Sequence, residues 1–371
     1  MKIAIDCRMY GNEQFTGIGT YIQKLTAELF RIDQKNQYLL FMNDPEYSRF
    51  TPPNNRVKKI LVNIPHYSYA EQIKFPWELK KHDFDLIHFP HFNSPVLWTG
   101  KSVCTIHDLT PFYYPGHKAK SGWRRWAHKK VFKSTTKKAQ KIIAVSQNTK
   151  KEINKMFDID SQKIKITYEG VDERFKIIEN NGIISKVKEK YGIQGPYIFF
   201  VGVWRQHKNL EGLIKAFNLL KKNTNLSHKL VLGGREDLHY TKARKEIESS
   251  TFKNQIITPG YIKDHDLPIL YSGADCFALP SFIEGFGLIA IEAQNCGCPV
   301  VSTKTSSMPE VLADSALYFD PRKPQEIAEQ INKILSNNNL RQELQKKAQK
   351  NIQRFNWKKC ASKTLEIYKS A

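Results

Sequence analysis

The stretch of sequence that decides the fold is EGFGLIAIEAQNCGC, residues 284–298. It follows an apolar run typical of a β-strand, 275–280, and precedes a second one, 299–302. A glycine-bearing loop between a strand and a helix lets the backbone approach a ligand closely, and the first N–H groups of the helix point outward at the positive end of its dipole. This stretch therefore predicts a parallel α/β sheet with an anion site at the end of a strand.

Two carboxylates, Glu284 and Glu292, bracket the glycine loop. A carboxylate does not bind phosphate, but it accepts hydrogen bonds from hydroxyl groups such as those of a ribose or a sugar. The stretch therefore predicts a site for a diphosphate with a polyol on each side. The residues do not indicate which sugar is bound.

The spacing Glu284…Glu292, with Gly-Phe-Gly directly after the first Glu, resembles the E-x7-E signature of glycosyltransferase family 4. The resemblance continues through PVV at 299–301 and SMPEV at 307–311, and it extends over nearly the whole chain. It implies an α/β protein of the GT-B fold, with two Rossmann-like doubly wound domains that face each other across a cleft. A surface helix with two solvated glutamates is the alternative explanation of the spacing alone.

The resemblance also implies roles for individual residues of this stretch. Glu284 would contact hydroxyls of the donor sugar, and Glu292 would hold the ribose hydroxyls. The loop residues whose amides would approach the sugar and the phosphates are Gly285, Phe286, Gly287 and Leu288. The chain departs from the family at Gln294 and Asn295, where small residues are usual, and at Cys298, where Thr is common. None of these departures touches an implied contact.

Two cations, Arg205 and Lys208, follow the predicted strand 197–203. A diphosphate leaving group gains negative charge as the glycosidic bond breaks, and fixed cations stabilise that charge in the transition state. Family 4 members have an Arg and a Lys here for that role, and the form Arg-x-His-Lys-Asn-Leu resembles bacterial mannosyltransferases. The alternative is a pair of surface cations at a helix N-terminus, which the helix dipole disfavours. The two cations would replace a metal ion, and no spacing typical of a metal site links the histidines His88, His91 and His207.

In the first half of the chain the resemblance points to a loop and to a histidine. Gly17 and Gly19 lie in TGIGTY, residues 16–21, which would face the donor phosphates and the acceptor. The motif is too short for a dinucleotide fingerprint, and a tight turn is the alternative. His107 ends a predicted strand and would contact the transferred sugar, whereas a structural histidine at the core edge is the alternative. Asp108 would either orient His107 or cap the next turn.

Several further positions also match the family, with less specific roles. Ser146 and Glu169 each follow a predicted strand, and Gly-Val-Asp at 170–172 is interpreted mainly as structural. For Glu310, capping of a helix and contact with the nucleotide both stay open. Gly-Gly-Arg at 233–235 ends a strand near the expected position of the base.

The charge of the chain is concentrated in one segment. The formal net charge is +22, and between Leu109 and Lys151 there are 12 Lys/Arg and no Asp/Glu. Trp123 and Trp126 lie among these basic residues, which include Lys118, Lys120, Arg124, Arg125, Lys129, Lys130, Lys133, Lys137, Lys138 and Lys141. Trp interleaved with Lys and Arg suits an anionic membrane surface. A Lys-rich solvated helix and an acidic glycan are alternatives, and no nucleic-acid motif supports a nucleic-acid partner.

The sequence predicts a cytoplasmic protein that is peripheral on the inner face of the plasma membrane if the basic segment binds lipid. No run reaches the roughly 18 apolar residues that a membrane span needs. The charged residues within 1–6 favour a first strand over a signal peptide. The six cysteines form no C-x-x-C pair and lie mostly in apolar contexts, which is typical of core thiols.

Length and alternation predict two α/β domains, because the chain has 371 residues and apolar β-like runs alternate with helical patterns. Residues 1–175 form the predicted acceptor-side domain. Residues 196–355 form the predicted nucleotide-sugar domain. The polar, Lys-rich stretch 176–195 is the predicted linker, and a final helix at about 356–371 would cross back to the first domain, as in other GT-B proteins.

The predicted function is that of a retaining hexosyltransferase of cell-surface polysaccharide or lipopolysaccharide assembly. It would move a hexose from a nucleotide-diphosphate sugar, with GDP-mannose as first choice, to a hydroxyl of a glycan or lipid-linked acceptor without a metal or another cofactor. The implied mechanism is a front-face attack that needs no protein nucleophile. The alternatives are a sugar-nucleotide epimerase of the same fold and a non-catalytic glycan- or membrane-binding protein. Acceptor, linkage and oligomeric state are not determined by the sequence.

Overall fold

The chain folds into two units, the first comprising Met1–Gly170 with Asn356–Ala371 and the second comprising Val171–Phe355. The computed structural model describes residues 1–11, 16–116 and 122–371, with Thr16 described only in its backbone. Lys118 and Lys120 of the predicted basic segment lie outside the described residues.

The first unit is built on a seven-stranded parallel sheet with the order β3-β2-β1-β4-β5-β6-β7. Its strands are β1 (Lys2–Asp6), β2 (Gln37–Met42), β3 (Val57–Leu61), β4 (Leu86–Phe89), β5 (Ser102–Ile106), β6 (Lys141–Ala144) and β7 (Ile164–Ile166). Its helices up to Gly170 are α1 (Thr16–Ile32), α2 (Glu46–Arg49), α3 (Tyr69–Lys80), α4 (Thr110–Tyr113), α5 (Gly122–Lys138) and α6 (Gln147–Phe157). The strand order reverses between β1 and β4, which makes this the topological switch point of the sheet.

The second unit repeats this plan with a six-stranded parallel sheet of order β10-β9-β8-β11-β12-β13. Its strands are β8 (Tyr197–Val201), β9 (Lys229–Gly233), β10 (Ile256–Gly260), β11 (Cys276–Leu279), β12 (Val300–Thr303) and β13 (Ala316–Phe319). Its helices are α7 (Asn181–Lys190), α8 (Leu210–Asn223), α9 (Lys242–Glu248), α10 (Leu267–Ser272), α11 (Leu288–Asn295), α12 (Met308–Leu312), α13 (Pro324–Ser336) and α14 (Asn338–Ile352). The switch point of this sheet lies between β8 and β11.

The central strands form the cores of both units. Every residue of β4, β5, β8, β11 and β12 is buried, because helices cover both faces of a parallel sheet. All six cysteines are free and buried, as predicted for core thiols.

The last helix, α15 (Trp357–Lys369), belongs to the first unit and packs on α1. Asn356 caps its N-terminus, since the side-chain oxygen accepts hydrogen bonds from the N–H groups of Lys358 and Lys359. The start of α15 also lies close to Gly170, where a Cβ would overlap the backbone nitrogen of Trp357, so this approach requires glycine.

Residues 176–195 are not a linker between the two units. They contain α7 and belong to the second unit. The Asn180 side chain, which resembles a turn former in the sequence, accepts a hydrogen bond from the N–H of Ile183 at 3.1 Å and caps the helix. Val187 is the buried residue of α7. One buried apolar residue does not make an amphipathic pattern, so the sequence pattern does not predict this helix.

Candidate active site

A partly buried ion pair lies at the carboxyl end of the second sheet, at its switch point. Lys208 follows β8 and Glu284 follows β11, and the Lys208 Nζ donates to Glu284 Oε1 at 2.7 Å. The two side chains are 16% and 10% exposed. Because ligands of open α/β sheets bind at the switch point, two of the predicted catalytic residues meet where a ligand is expected.

Glu284 is held in place on one side only. Ser281 Oγ donates to Glu284 Oε1 at 2.6 Å, beside the Lys208 ammonium. The Glu284 carbonyl accepts from Ser306 Oγ at 2.6 Å and from Ser307 Oγ at 2.8 Å. Within the part of the chain that the structure describes, no hydrogen bond reaches Glu284 Oε2. The carboxylate is therefore fixed, with one oxygen left to accept from a ligand.

The loop that carries Lys208 is attached to the loop that carries Glu284. Asn209 is buried in the left-handed conformation with φ 53°, and its Nδ2 donates to the Pro280 carbonyl at 3.1 Å. The N–H of Phe282 donates to the His207 carbonyl at 2.8 Å. These bonds between the β8 and β11 loops keep the ion pair in a defined geometry.

Arg205 begins the same loop, and its side chain is exposed. No carboxylate of residues 1–11, 16–116 or 122–371 forms an ion pair with it. Burial, together with the nearby Lys208 and Arg205 charges, lowers the pKa of His207 to about 2, so this histidine is neutral at physiological pH. The positive charge of the loop therefore comes from Arg205 and Lys208.

The predicted donor-binding loop lies at the start of α11. Its residues follow one another into the helix, in the order Gly285, Phe286, Gly287 and Leu288. Gly287 has φ 82°, a conformation that favours glycine. The Phe286 ring is buried 5.3 Å from the Phe355 ring, so only its backbone can face a ligand. Glu292 lies one turn into α11 and is half-buried.

In the first unit, His107 follows β5 and uses both ring nitrogens. Its Nε2 lies 3.0 Å from the Pro90 carbonyl oxygen, and its Nδ1 lies 3.0 Å from Glu169 Oε1. Burial lowers the pKa of His107, but the hydrogen bond and charge of Glu169, with the Pro90 carbonyl, outweigh it, so the net pKa is raised. Both ring nitrogens face acceptor oxygens, an arrangement that favours the protonated ring.

Glu169, and not Asp108, orients His107. Asp108 Oδ1 accepts from the N–H of Thr110 at 2.8 Å and so caps the next turn, which decides between the two alternatives that the sequence left open. Glu169 lies three residues after β7, at the carboxyl edge of the sheet, and this position is the signal in the sequence that pointed to it. Its pairing with a residue 62 positions away has no signature in the sequence.

Gly17 lies in a helix and not in a loop as predicted, because α1 begins at Thr16, three residues before Gly19, where the predicted helix begins. Two glycines disfavour a helix, but α1 buries Tyr21, Leu25 and Leu29, and this packing outweighs the propensity. The first N–H groups of a helix have no partner within it, so the two glycines are still at a helix end that can receive an anion.

The polar residues that depart from the family pattern have partners. Gln294 is buried, and its Nε2 donates to the carbonyl and the hydroxyl of Ser315 at 3.0 and 2.7 Å. Asn295 Nδ2 donates to the Phe175 carbonyl at 2.5 Å. These side chains stabilise the second unit around α11 and take no part in the candidate site.

Replacing Glu169 with glutamine is expected to reverse the sign of the contribution that His107 makes to the pH dependence of stability. A raised His107 pKa stabilises the wild type fully below the unfolded value of about 6.5, and this contribution is lost as pH rises through the folded value. In Glu169→Gln burial is the main remaining influence and lowers the pKa of His107, so this loss disappears and stability instead falls as pH drops through the unfolded value. The free energy of unfolding is measured by denaturant titration from below to well above pH 6.5.

The matched control is Glu173→Gln, which removes an exposed carboxylate four residues further on. It should keep the wild-type pH profile. A pH profile of Glu169→Gln that runs parallel to the wild-type profile would show that Glu169 does not change the pKa of His107.

Two protein-family models match this chain. The model described as Glycosyltransferase Family 4 matches residues 15–175, and the model described as Glycosyl transferases group 1 matches residues 184–351. Together they span both units.

One relative and two solved structures agree with these matches. The O-antigen chain mannosyltransferase B of Escherichia coli is 30% identical over 370 residues, covering 95% of this chain and 96% of the relative. Sucrose-phosphate synthase from Thermosynechococcus elongatus superimposes with a TM-score of 0.80 at 19% identity, covering 100% of this chain and 98% of the other. The Anabaena protein HepE, solved with UDP and glucose, gives a TM-score of 0.76 at 21% identity over 100% of both chains.

Proposed function

This chain belongs to the glycosyltransferases and has their GT-B fold, and from that premise we propose that it transfers a mannosyl residue from a nucleotide-diphosphate sugar to a glycan hydroxyl. The observation that carries the proposal is the Lys208–Glu284 ion pair at the switch point of the second sheet. The relative named an O-antigen chain mannosyltransferase supports mannose as the sugar and a cell-surface glycan as the acceptor.

The cations of the β8 loop would bind the diphosphate. An ammonium has three donors, and Glu284 occupies one donor of Lys208. The others can bond to phosphate oxygens, and the exposed Arg205 guanidinium can add a bidentate contact. As the leaving group gains charge, these fixed cations stabilise the transition state more than the ground state.

The carboxylates would bind the polyol parts of the donor. Glu284 Oε2 would accept from a hydroxyl of the transferred sugar, while Oε1 stays with Lys208 and Ser281. Glu292, half-buried on α11, would accept from the ribose hydroxyls. The backbone of the Gly285–Leu288 loop would approach the phosphates at the start of α11.

The reaction would retain the anomeric configuration and need no metal. The bond from the anomeric carbon to the diphosphate oxygen breaks, and its electron pair leaves with the diphosphate. The acceptor oxygen bonds to the same face of that carbon, and its proton passes to a phosphate oxygen. Arg205 and Lys208 supply the positive charge, so positioning and electrostatics provide most of the rate. The contact of His107 with the transferred sugar stays a prediction, and both of its ring nitrogens are already engaged by Glu169 and the Pro90 carbonyl.

A thermal-shift screen tests the donor. GDP, UDP, ADP and dTDP are added with and without their sugars, in the presence of a metal chelator. A ligand that binds the folded state alone raises the unfolding midpoint, and we expect the largest shift with GDP and GDP-mannose. Glu292→Ala should lose this shift, whereas Glu329→Ala, at an exposed position of α13, should keep it.

Two results would contradict parts of the proposal. A shift with UDP or dTDP alone would show that the donor is not a guanosine nucleotide. The absence of any shift in a folded sample would favour a non-catalytic binding protein over a transferase. With the donor known, an NMR spectrum of the product shows whether the anomeric configuration is retained.

A further inference from the structure

Helix α3 exposes a row of large apolar side chains. Tyr69, Ile73 and Trp77 are 74%, 56% and 71% exposed. Their spacing of four residues places them on one face of the helix, while Phe75 and Leu79 are buried on the other. Single exposed apolar residues are common on protein surfaces, but a contiguous row indicates an interaction surface.

Helix α5 exposes the predicted basic patch. Trp123 and Trp126 are 56% and 59% exposed, and the Lys130 ammonium lies 4.3 Å from the centre of the Trp126 ring. Every Lys and Arg of α5 is exposed, and the helix has no acidic residue: Arg124, Arg125, Lys129, Lys130, Lys133, Lys137 and Lys138. The helix therefore combines a dense positive charge with aromatic rings.

Two sets of contacts place α3 beside α5 within the first unit. The Tyr67 ring, just before α3, stacks on the His128 ring of α5 with 5.7 Å between centroids. Further along, Gln72 Oε1 accepts from the N–H of Val96 at 2.8 Å, and Lys138 Nζ donates to the carbonyl of the same residue at 2.5 Å. Both helices thus flank the segment around Val96. The next residue, Leu97, is 59% exposed and extends the apolar surface between the two helices.

The tryptophans separate sharply between this face and the cores. The chain has six, and the three exposed ones all belong to α3 and α5: Trp77, Trp123 and Trp126. The other three are at most 9% exposed: Trp98, Trp204 and Trp357. Tryptophan prefers the boundary between water and the acyl chains of a bilayer, where its ring is buried and its N–H is hydrated.

We infer that α3, Leu97 and α5 form one docking face for an anionic lipid bilayer. The apolar row of α3 enters the headgroup layer, and the lysines and arginines of α5 bind the anionic headgroups. The charge selects this occupant, because a second copy of the same positive face would be repelled. No helix of the described residues is long and apolar enough to cross a membrane. The inference is independent of the proposed donor and acceptor.

Vesicle binding of the purified full chain tests the docking face. It is sedimented with phosphatidylcholine vesicles that contain or lack phosphatidylglycerol. We expect binding to the anionic vesicles with a blue shift of tryptophan fluorescence. The combined variant Tyr69→Gln, Ile73→Gln, Trp77→Gln should bind about tenfold or more weakly, because its apolar contact is lost. Leu238→Gln, at an 88% exposed apolar position of the second unit, should bind like the wild type.

The charge is tested separately. In the variant Arg125→Gln, Lys129→Gln, Lys130→Gln, each lost cation should weaken binding to anionic vesicles by about fivefold. Equal binding by the α3 variant and the wild type would overturn the inference, as would no binding of the wild type to anionic vesicles. A dimer in solution that the α3 variant converts to a monomer, with vesicle binding unchanged, would assign the face to a second copy. An unfolding midpoint close to that of the wild type, measured without added nucleotide, shows that the variants are folded.

Discussion

Replacing Arg205 with alanine is expected to lower kcat by about 10²–10³-fold, the usual cost of removing a group that stabilises developing charge. The side chain is exposed in the β8 loop and has no ion-pair partner within the described ranges, so its loss should change the free energy of unfolding by no more than about 0.5 kcal/mol. Initial rates with donor and acceptor, together with a denaturant titration, measure both quantities.

A matched control separates this role from a general charge effect. Arg322→Ala removes an exposed arginine of the same unit that follows β13, and it should keep wild-type kcat. Arg205→Lys should recover part of the rate, because an ammonium keeps the charge and loses the bidentate contact. Near wild-type turnover in Arg205→Ala would refute the proposed contact with the leaving group.

Replacing Gly234 with alanine is expected to destabilise the protein by about 3 kcal/mol or more. Gly234 has φ 108°, which L-residues rarely adopt, and a Cβ there would overlap the carbonyl oxygen of Gly202. Its N–H also donates to the Gly260 carbonyl at 2.8 Å, so the residue cannot move away without losing this bond. The residues that would have to shift lie at the carboxyl ends of β8, β9 and β10. Because the donor is proposed to bind at this edge of the sheet, donor binding should weaken as well.

Gly260→Ala separates steric overlap from backbone strain. Gly260 also has a positive φ, 73°, but no described atom lies within 4 Å of a Cβ at that position. This variant should cost about 1–2 kcal/mol, the penalty of a left-handed conformation alone. Equal unfolding free energies for the two variants, by urea titration, would show that the close approach to Gly202 does not limit the substitution.

The strands that the sequence predicts best are those buried on both faces. The predicted runs 197–203, 275–280 and 299–302 coincide with β8, β11 and β12 to within two residues at each end, because helices on both sides of a parallel sheet require continuous apolar runs. β3 escapes prediction because it is an edge strand with the sequence VKKIL, in which Lys58 is exposed and Lys59 is only half-buried. α3 escapes because apolar residues lie on its buried face and on its exposed face, which removes the amphipathic period.

The parallel α/β plan could be predicted because the glycines, carboxylates and cations of the site follow individual strands, whereas the GT-B fold was implied by the resemblance to glycosyltransferase family 4. Parallel strands bring their carboxyl ends to one edge, so Arg205, Lys208 and Glu284 could be predicted as members of one site. The error at Gly17 has a different origin, since the packing of α1 and not its local propensity decides where that helix begins.

The sequence by itself determined the fold class, the order of the elements and the residue types of the site, since these depend on local pattern and spacing. The tertiary structure alone decided which side chains pair. Lys208 and Glu284 are 76 residues apart, and His107 and Glu169 are 62 apart. It also placed α3 and α5 on either side of the segment around Val96. Such pairings depend on strand order and side-chain direction, because a distance of a few ångströms between remote residues is set by packing and not by spacing along the chain.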